Sequence, residues 1–171
     1  MIRGLTVACA FAAIPAAAQE AVPAVADTIA DGTMLSVITE PYAHALAAIA
    51  GWVVLTLVLL ILSVVGAPRA RSDNGMPVRD YSDPFYRRDR AFRNAVETSG
   101  PFIAATLVAI LVGASPFWTN LLASVFLVAR IGMAVIHIRT EIQPARSAFW
   151  FAGTLCVTGL ALLALVGAFT L

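Results

Sequence analysis

Apolar residues fall in four long blocks along the chain, separated by short stretches rich in proline, glycine and charge. The first block, Ala43 to Gly66 (AHALAAIAGWVVLTLVLLILSVVG), has about 24 residues, or about 36 Å of helix, enough to cross a bilayer with some tilt. Residues 67 to 86 hold three prolines, a glycine and mixed charges, so they read as a polar loop. A second helix is expected from Phe85 to Gly113. The triplet Ala114-Ser115-Pro116 then turns the chain into a third helix, Phe117 to Ile138. Pro144 stops any continuation and stands just ahead of a fourth helix, Arg146 to Phe169, where a missing N–H costs nothing. The pattern predicts an all-α integral membrane protein, a bundle of four transmembrane helices over residues 43–171.

Residues 1–18 have the order of a secretory signal peptide: Arg3, an apolar run from Leu5 to Pro15, then Ala16-Ala17-Ala18 before Gln19 and Glu20. Cleavage is expected after Ala18. The competing reading is an uncleaved anchor, for which about eleven apolar residues are short against the roughly twenty of a membrane span. The segment 19–42 carries Glu20, Asp27, Asp31 and Glu40 without one arginine, and is expected to be external.

Composition agrees with a lipid environment: the chain is 60% hydrophobic and 12% charged, with a mean hydropathy of +0.88, too apolar to cover itself in water. A net charge of +1 and no basic run interleaved with aromatics exclude nucleic acid as an expected partner. Where the charges lie is more informative than their sum. All eleven basic residues are arginine, and all but Arg3 lie between Arg69 and Arg93 or between Arg130 and Arg146. The positive-inside rule puts both patches in the cytoplasm and both termini outside. The two cysteines, Cys9 and Cys156, have no partner set for a disulfide or a metal, and no metal site is expected. Cys156 reads as a small apolar residue in a packed helix.

Within the second helix Arg90, Arg93, Asn94 and Glu97 fall at i, i+3, i+4 and i+7, along one side within two turns. After Gly100 only about fourteen residues remain before the external turn, about 21 Å of helix against a hydrocarbon core of about 30 Å, so Asn94 and Glu97 lie below the membrane surface. A carboxylate at that depth needs a partner. Arg130, a lone charge in the third helix offset from Glu97 by about one turn, is the expected one. Several guanidinium groups and one acid from separate spans are thus expected to form a single polar chamber; the plainer reading of such a pair is a clamp between helices.

The string Arg-Ala-Phe-Arg-Asn-Ala-Val-Glu-Thr from Arg90 to Thr98, followed by Pro101-Phe102, resembles the helix 2 signature of the MAPEG family, the membrane-associated proteins in eicosanoid and glutathione metabolism. Phe126-Leu127-Val128-Ala129-Arg130 and Pro144-Ala145-Arg146-Ser147 are similar to two further blocks of that family, in the same order. The resemblance spans residues 85 to 170. It implies a homotrimer of four-helix subunits holding glutathione between neighbours near the cytoplasmic side; the export signal and the placement of the arginines add the expectation of a bacterial inner membrane, in contact with lipid. Position by position it implies that Arg93, Asn94 and Glu97 hold the tripeptide, with Arg90 and Arg130 in the same polar cluster. Arg146 would activate the thiol, Ser147 would be the hydroxyl beside it, and His137 and Trp150 stand where relatives carry tyrosines. The implied activity is a glutathione-dependent transferase or peroxidase acting on a hydrophobic small molecule. The alternative is a non-catalytic lipid-binding or small-molecule-binding protein of the same fold. Phe92 and Met133 replace histidines of the family pattern, and in the first loop Arg69 or Arg71, with Asp73, are stand-ins for ligand contacts that do not align.

Overall fold

In the computed structural model, residues 33–170 are described, apart from Ala67 and Arg69. The expected signal peptide, most of the 19–42 segment and Arg69 lie outside the described residues. The chain divides into two units, Met1–Pro41 and Tyr42–Leu171. In the first, a short helix covers Thr33–Thr39. The second holds four long helices: α1, Ala43–Val64; α2, Pro84–Leu111; α3, Pro116–Arg139; and α4, Gln143–Phe169. Among the described residues four helices are long and apolar enough to cross a membrane, the number the apolar blocks predict.

Local chemistry sets the helix ends. Asp83, buried, accepts a hydrogen bond from the Phe85 backbone N–H at 2.9 Å, and Pro84 occupies the first turn of α2, where no N–H is needed. The turn after α2 closes through Gly113, whose φ of 66° suits glycine. One boundary differs from the sequence reading. α4 starts at Gln143, so Pro144 lies inside its first turn and Arg146 comes a turn later than expected. Arg146 is buried within that first stretch of α4.

The bundle is tied by an aromatic cluster between helices. Phe102 of α2 stacks on Phe126 of α3 at 3.9 Å, and Trp52 of α1 meets both rings edge-on at 6.2 and 5.1 Å. All three side chains are fully buried. The Trp52 indole N–H donates to Ser99 at 3.0 Å, which satisfies the one polar atom this tryptophan brings into the core. α3 and α4 run along each other, with Gly132 giving room to the Phe149 ring. Small residues allow such close approach where lipid supplies no hydrophobic drive between helices. The outer surface is apolar in turn: Val54, Leu57, Ile61, Leu111, Phe117, Val128, Leu162 and Val166 are all exposed. A surface of this kind suits acyl chains.

At one end of the bundle Tyr42 donates from its hydroxyl to the Ala114 carbonyl, and Asn120 accepts from the Ala45 N–H at 2.9 Å. The opposite end gathers the C-termini of α1 and α3, the N-termini of α2 and α4, and with them the described arginines outside Arg130. Replacement of Phe126 by alanine is expected to cost about 3–5 kcal/mol in a reversible unfolding measurement in micelles. The lipid-facing change Val128→Ala should stay within about 0.5 kcal/mol of the parent.

Candidate functional site

The arginine-rich end is organised by the loop between α1 and α2. Its outer part is a small turn: the Ser72 N–H bonds to the Met76 carbonyl at 2.9 Å and the Val78 N–H to the Ala70 carbonyl at 3.1 Å, around Gly75 at a φ of 77°. The chain then delivers Tyr81 to the helices. Arg87 of α2 fixes it there, donating to the Tyr81 carbonyl at 2.6 Å, to the Ile138 carbonyl at 3.1 Å, and pairing with Glu141 at 3.7 Å. Arg87 thus joins the loop, the end of α3 and the turn before α4. The acid nearest in sequence to Arg146 is engaged by this contact.

Arg146, 8% exposed, has its guanidinium carbon 4.2 Å from the centre of the Tyr81 ring. Its side chain makes no hydrogen bond or ion pair among the described residues, and its Nη1 is buried without a partner. Beside it lies an open pocket of about 190 Å³ lined by Arg79, Tyr81, Met133, Gln143, Arg146, Ser147 and Trp150. Two guanidinium groups and no carboxylate line it, so it attracts anions. The hydroxyl of Ser147 and the indole of Trp150 give it a polar and an apolar wall.

Met133 also lines a second, enclosed space of about 10 Å³ with Trp52, Asn94, Arg130 and His137. That is room for about one water molecule. Arg130 is 3% exposed and His137 4%. Both ring nitrogens of His137, and Nε and Nη2 of Arg130, are buried without partners. What Arg130 does touch is soft: the Met133 sulfur at 3.3 Å from Nη1 and the Phe126 ring at 5.2 Å. Its Nε lies against Gly153, where a Cβ would stand 2.9 Å away, so glycine at that position is what admits the guanidinium.

A third group lies on the outward side of α2. Arg93 pairs with Asp89 one turn earlier at 2.7 Å and reaches the Met76 sulfur at 3.6 Å. Arg90, Arg93 and Glu97, with Asp89, Phe92 and Val96, border an open hollow of about 350 Å³. Glu97 is exposed, and no residue of its own chain bonds to it among those described.

The MAPEG family model matches residues 45–166, which spans α1 to α4 and more than half of the chain. The chain belongs to the MAPEG family. No curated protein matches it. Membership in MAPEG carries, in general terms, a membrane-embedded, glutathione-related function of the transferase or isomerase kind.

Within this MAPEG chain the nine residues singled out from the sequence fall in three places. Arg146, Ser147 and Trp150 share the open pocket; Asn94, Arg130 and His137 share the enclosed space behind it; Arg90, Arg93 and Glu97 face outward. The expected Glu97–Arg130 pair is not formed. Counting residues from the external turn measures depth along a helix but not rotation about it. Glu97 stands roughly 140° round α2 from the face that Ala91, Ala95 and Phe102 bury, whereas Arg130 points into the bundle. One subunit therefore does not bring these groups into a single chamber.

Tyr81, Arg79, Gln143 and Asp89 were not foreseen. Asp89 was readable, since an acid four residues before an arginine on a helix is a pairing signal. Tyr81 was not, because a loop residue carries no periodicity that aims it. A guanidinium left without a carboxylate makes the apo fold pay for charge it does not use. Arg130→Met, similar in length and packing, should therefore unfold at a higher temperature than the parent in the absence of ligand; a lower one would reveal a counter-charge inside the fold.

Proposed function

We propose that the chain is a glutathione-dependent transferase or peroxidase, with a hydrophobic electrophile drawn from the membrane as its second substrate. The observation that carries this reading is Arg146: buried, unpaired, and lining a pocket that holds a second arginine, a hydroxyl and an indole but no acid. Bound glutathione would supply a nucleophilic sulfur. A guanidinium in a partly dry site favours the thiolate over the thiol, which is what such chemistry needs near neutral pH. Ser147 is placed to donate a hydrogen bond to the same sulfur. Trp150, exposed at the lip of the pocket, offers an apolar surface to an electrophile arriving from lipid.

The residues present fit the tripeptide in chemical kind. Two carboxylates and an ammonium call for forked cationic donors and one acid, and Arg79, Arg90, Arg93, Arg146 and Glu97 are of those kinds. They fit it in one subunit only in part. About 190 Å³ is below the roughly 300–1,000 Å³ of pockets that enclose a drug-sized ligand. Glu97 lies at the middle of α2, with about fourteen residues, or about 21 Å, from it to the helix end, a depth within the hydrocarbon. An exposed carboxylate there would be costly against lipid. Both facts support a site closed between copies, the α2 ridge of one covering the Arg146 pocket of the next; that the assembly is a homotrimer rests on the family resemblance. The arginine-rich end of the bundle is then the cytoplasmic one, in a bacterial inner membrane, with the 19–42 segment outside and the 1–18 signal removed.

Calorimetry in detergent tests the reading. Glutathione should bind the purified full chain with a dissociation constant at or below millimolar. Arg146→Ala should keep the assembly and lower conjugation of a small aromatic electrophile by at least ~100-fold, the scale of losing one electrostatic contact to a developing charge. Glu97→Ala should weaken binding with little change in unfolding temperature, since no partner in its own fold depends on it. Binding without turnover over a panel of electrophiles would favour the non-catalytic alternative. No binding at all with an intact assembly would overturn the proposal.

A further inference from the structure

One pocket residue that no motif marks is Tyr81. It leaves the loop between α1 and α2 and enters a space bounded by three helices: its ring is 5.2 Å from Tyr86 of α2, 6.1 Å from His137 of α3, and 4.2 Å from the Arg146 guanidinium of α4. A second guanidinium, that of Arg79, lies 6.0 Å from the same ring. Its carbonyl is held by Arg87 at 2.6 Å, so the backbone is anchored by a contact that does not involve the side chain.

A buried arginine is ordinarily oriented by a carboxylate, which fixes the guanidinium plane but also consumes its charge and two of its donors. An aromatic face fixes the plane without doing either. At Arg146 only the second device is present. Glu141, the acid of the adjoining turn, goes to Arg87, and Nη1 of Arg146 stays unpaired.

We infer that Tyr81 is a positioning residue for Arg146, a π-face that holds the guanidinium aimed into the pocket while leaving its charge and donors free for an anionic ligand. The inference rests on the proposed use of Arg146 toward a thiolate and adds to it the device that keeps Arg146 competent. The ring is the part that meets the guanidinium, whereas the hydroxyl interacts with Tyr86. Tyr81→Phe should therefore keep Arg146 in place, whereas Tyr81→Leu, similar in bulk and lacking the quadrupole, should not.

Two readouts separate this from a structural role and from the reading it rests on. The first needs no glutathione: modification of Arg146 by phenylglyoxal, followed by peptide mass spectrometry on the full chain in detergent. Tyr81→Leu should label at least ~3-fold faster than the parent, the size expected from losing a stacking contact of about 0.5–1 kcal/mol, and Tyr81→Phe at the parent rate. The second is the pH titration of the ultraviolet thiolate band with glutathione bound. Tyr81→Leu should shift the midpoint upward by up to about one pH unit, a tenfold change in the equilibrium. Its kcat should fall in step while KM moves less than about threefold, as for an interaction made chiefly with the developing charge. Should Tyr81→Leu not reach the membrane, Tyr81→Gln repeats both arms with a flat side chain that has no π-face. Equal labelling in parent and ring-less variants overturns the inference, whatever glutathione does. Faster labelling in a chain that fails to bind glutathione keeps the positioning role and removes the proposed function instead.

Discussion

A guanidinium group does not give up its proton in a protein, so an arginine folded into an apolar bundle brings a full charge with it. This chain buries two, Arg130 and Arg146, and provides neither with a carboxylate among the described residues. Soft partners hold them instead: a phenyl ring and a thioether for Arg130, a phenol ring for Arg146. Such contacts orient a cation and shield it from lipid, and they leave its field largely uncancelled. Most of what is distinctive about this fold follows from that arrangement.

The packing is adjusted to make room for those charges. Gly153 leaves space on α4 for the Arg130 Nε, and the first turns of α4 bury Arg146. Arg87 gathers the loop, the end of α3 and Glu141, so the neighbouring acid is drawn away from Arg146. The Trp52, Phe102 and Phe126 cluster fixes α1, α2 and α3 against one another just beyond the Arg130 side chain. Rigid apolar packing on one side and an open, acid-free pocket on the other leave the Arg146 charge facing the pocket without a carboxylate among its lining residues.

The number and order of the helices were legible in the chain itself. Four apolar blocks gave four helices, and Pro84, Gly113 and Pro144 marked their ends to within a few residues. The three family blocks pointed to the residues that the structure distributes round the arginine-rich end, and the MAPEG assignment follows from the match over 45–166. Rotation was not legible. Glu97 and Arg130 lie at neighbouring depths on adjacent helices, yet one faces out and the other in, because the phase of a helix is set by which small residues its neighbours accept. Ala91, Ala95 and Phe102 took the inner face of α2 and left the acid outside. Tyr81 lay beyond reach for a different reason: a loop residue is aimed by the backbone contacts of others, here by Arg87, and its own sequence context holds no trace of that.

What unites the inward arginines and the outward acid is the proposed seam between copies, where the α2 ridge of one subunit completes the Arg146 pocket of another. The most direct measurement is a cross-link across that seam. Chains carrying Glu97→Cys and chains carrying Ser147→Cys, each with Cys9 and Cys156 replaced by alanine, would be co-expressed in membranes and treated with a short bis-maleimide. The account requires a product joining the two kinds of chain, absent when either variant is expressed alone. Folded variants that yield no mixed product would show that the ridge and the pocket do not meet.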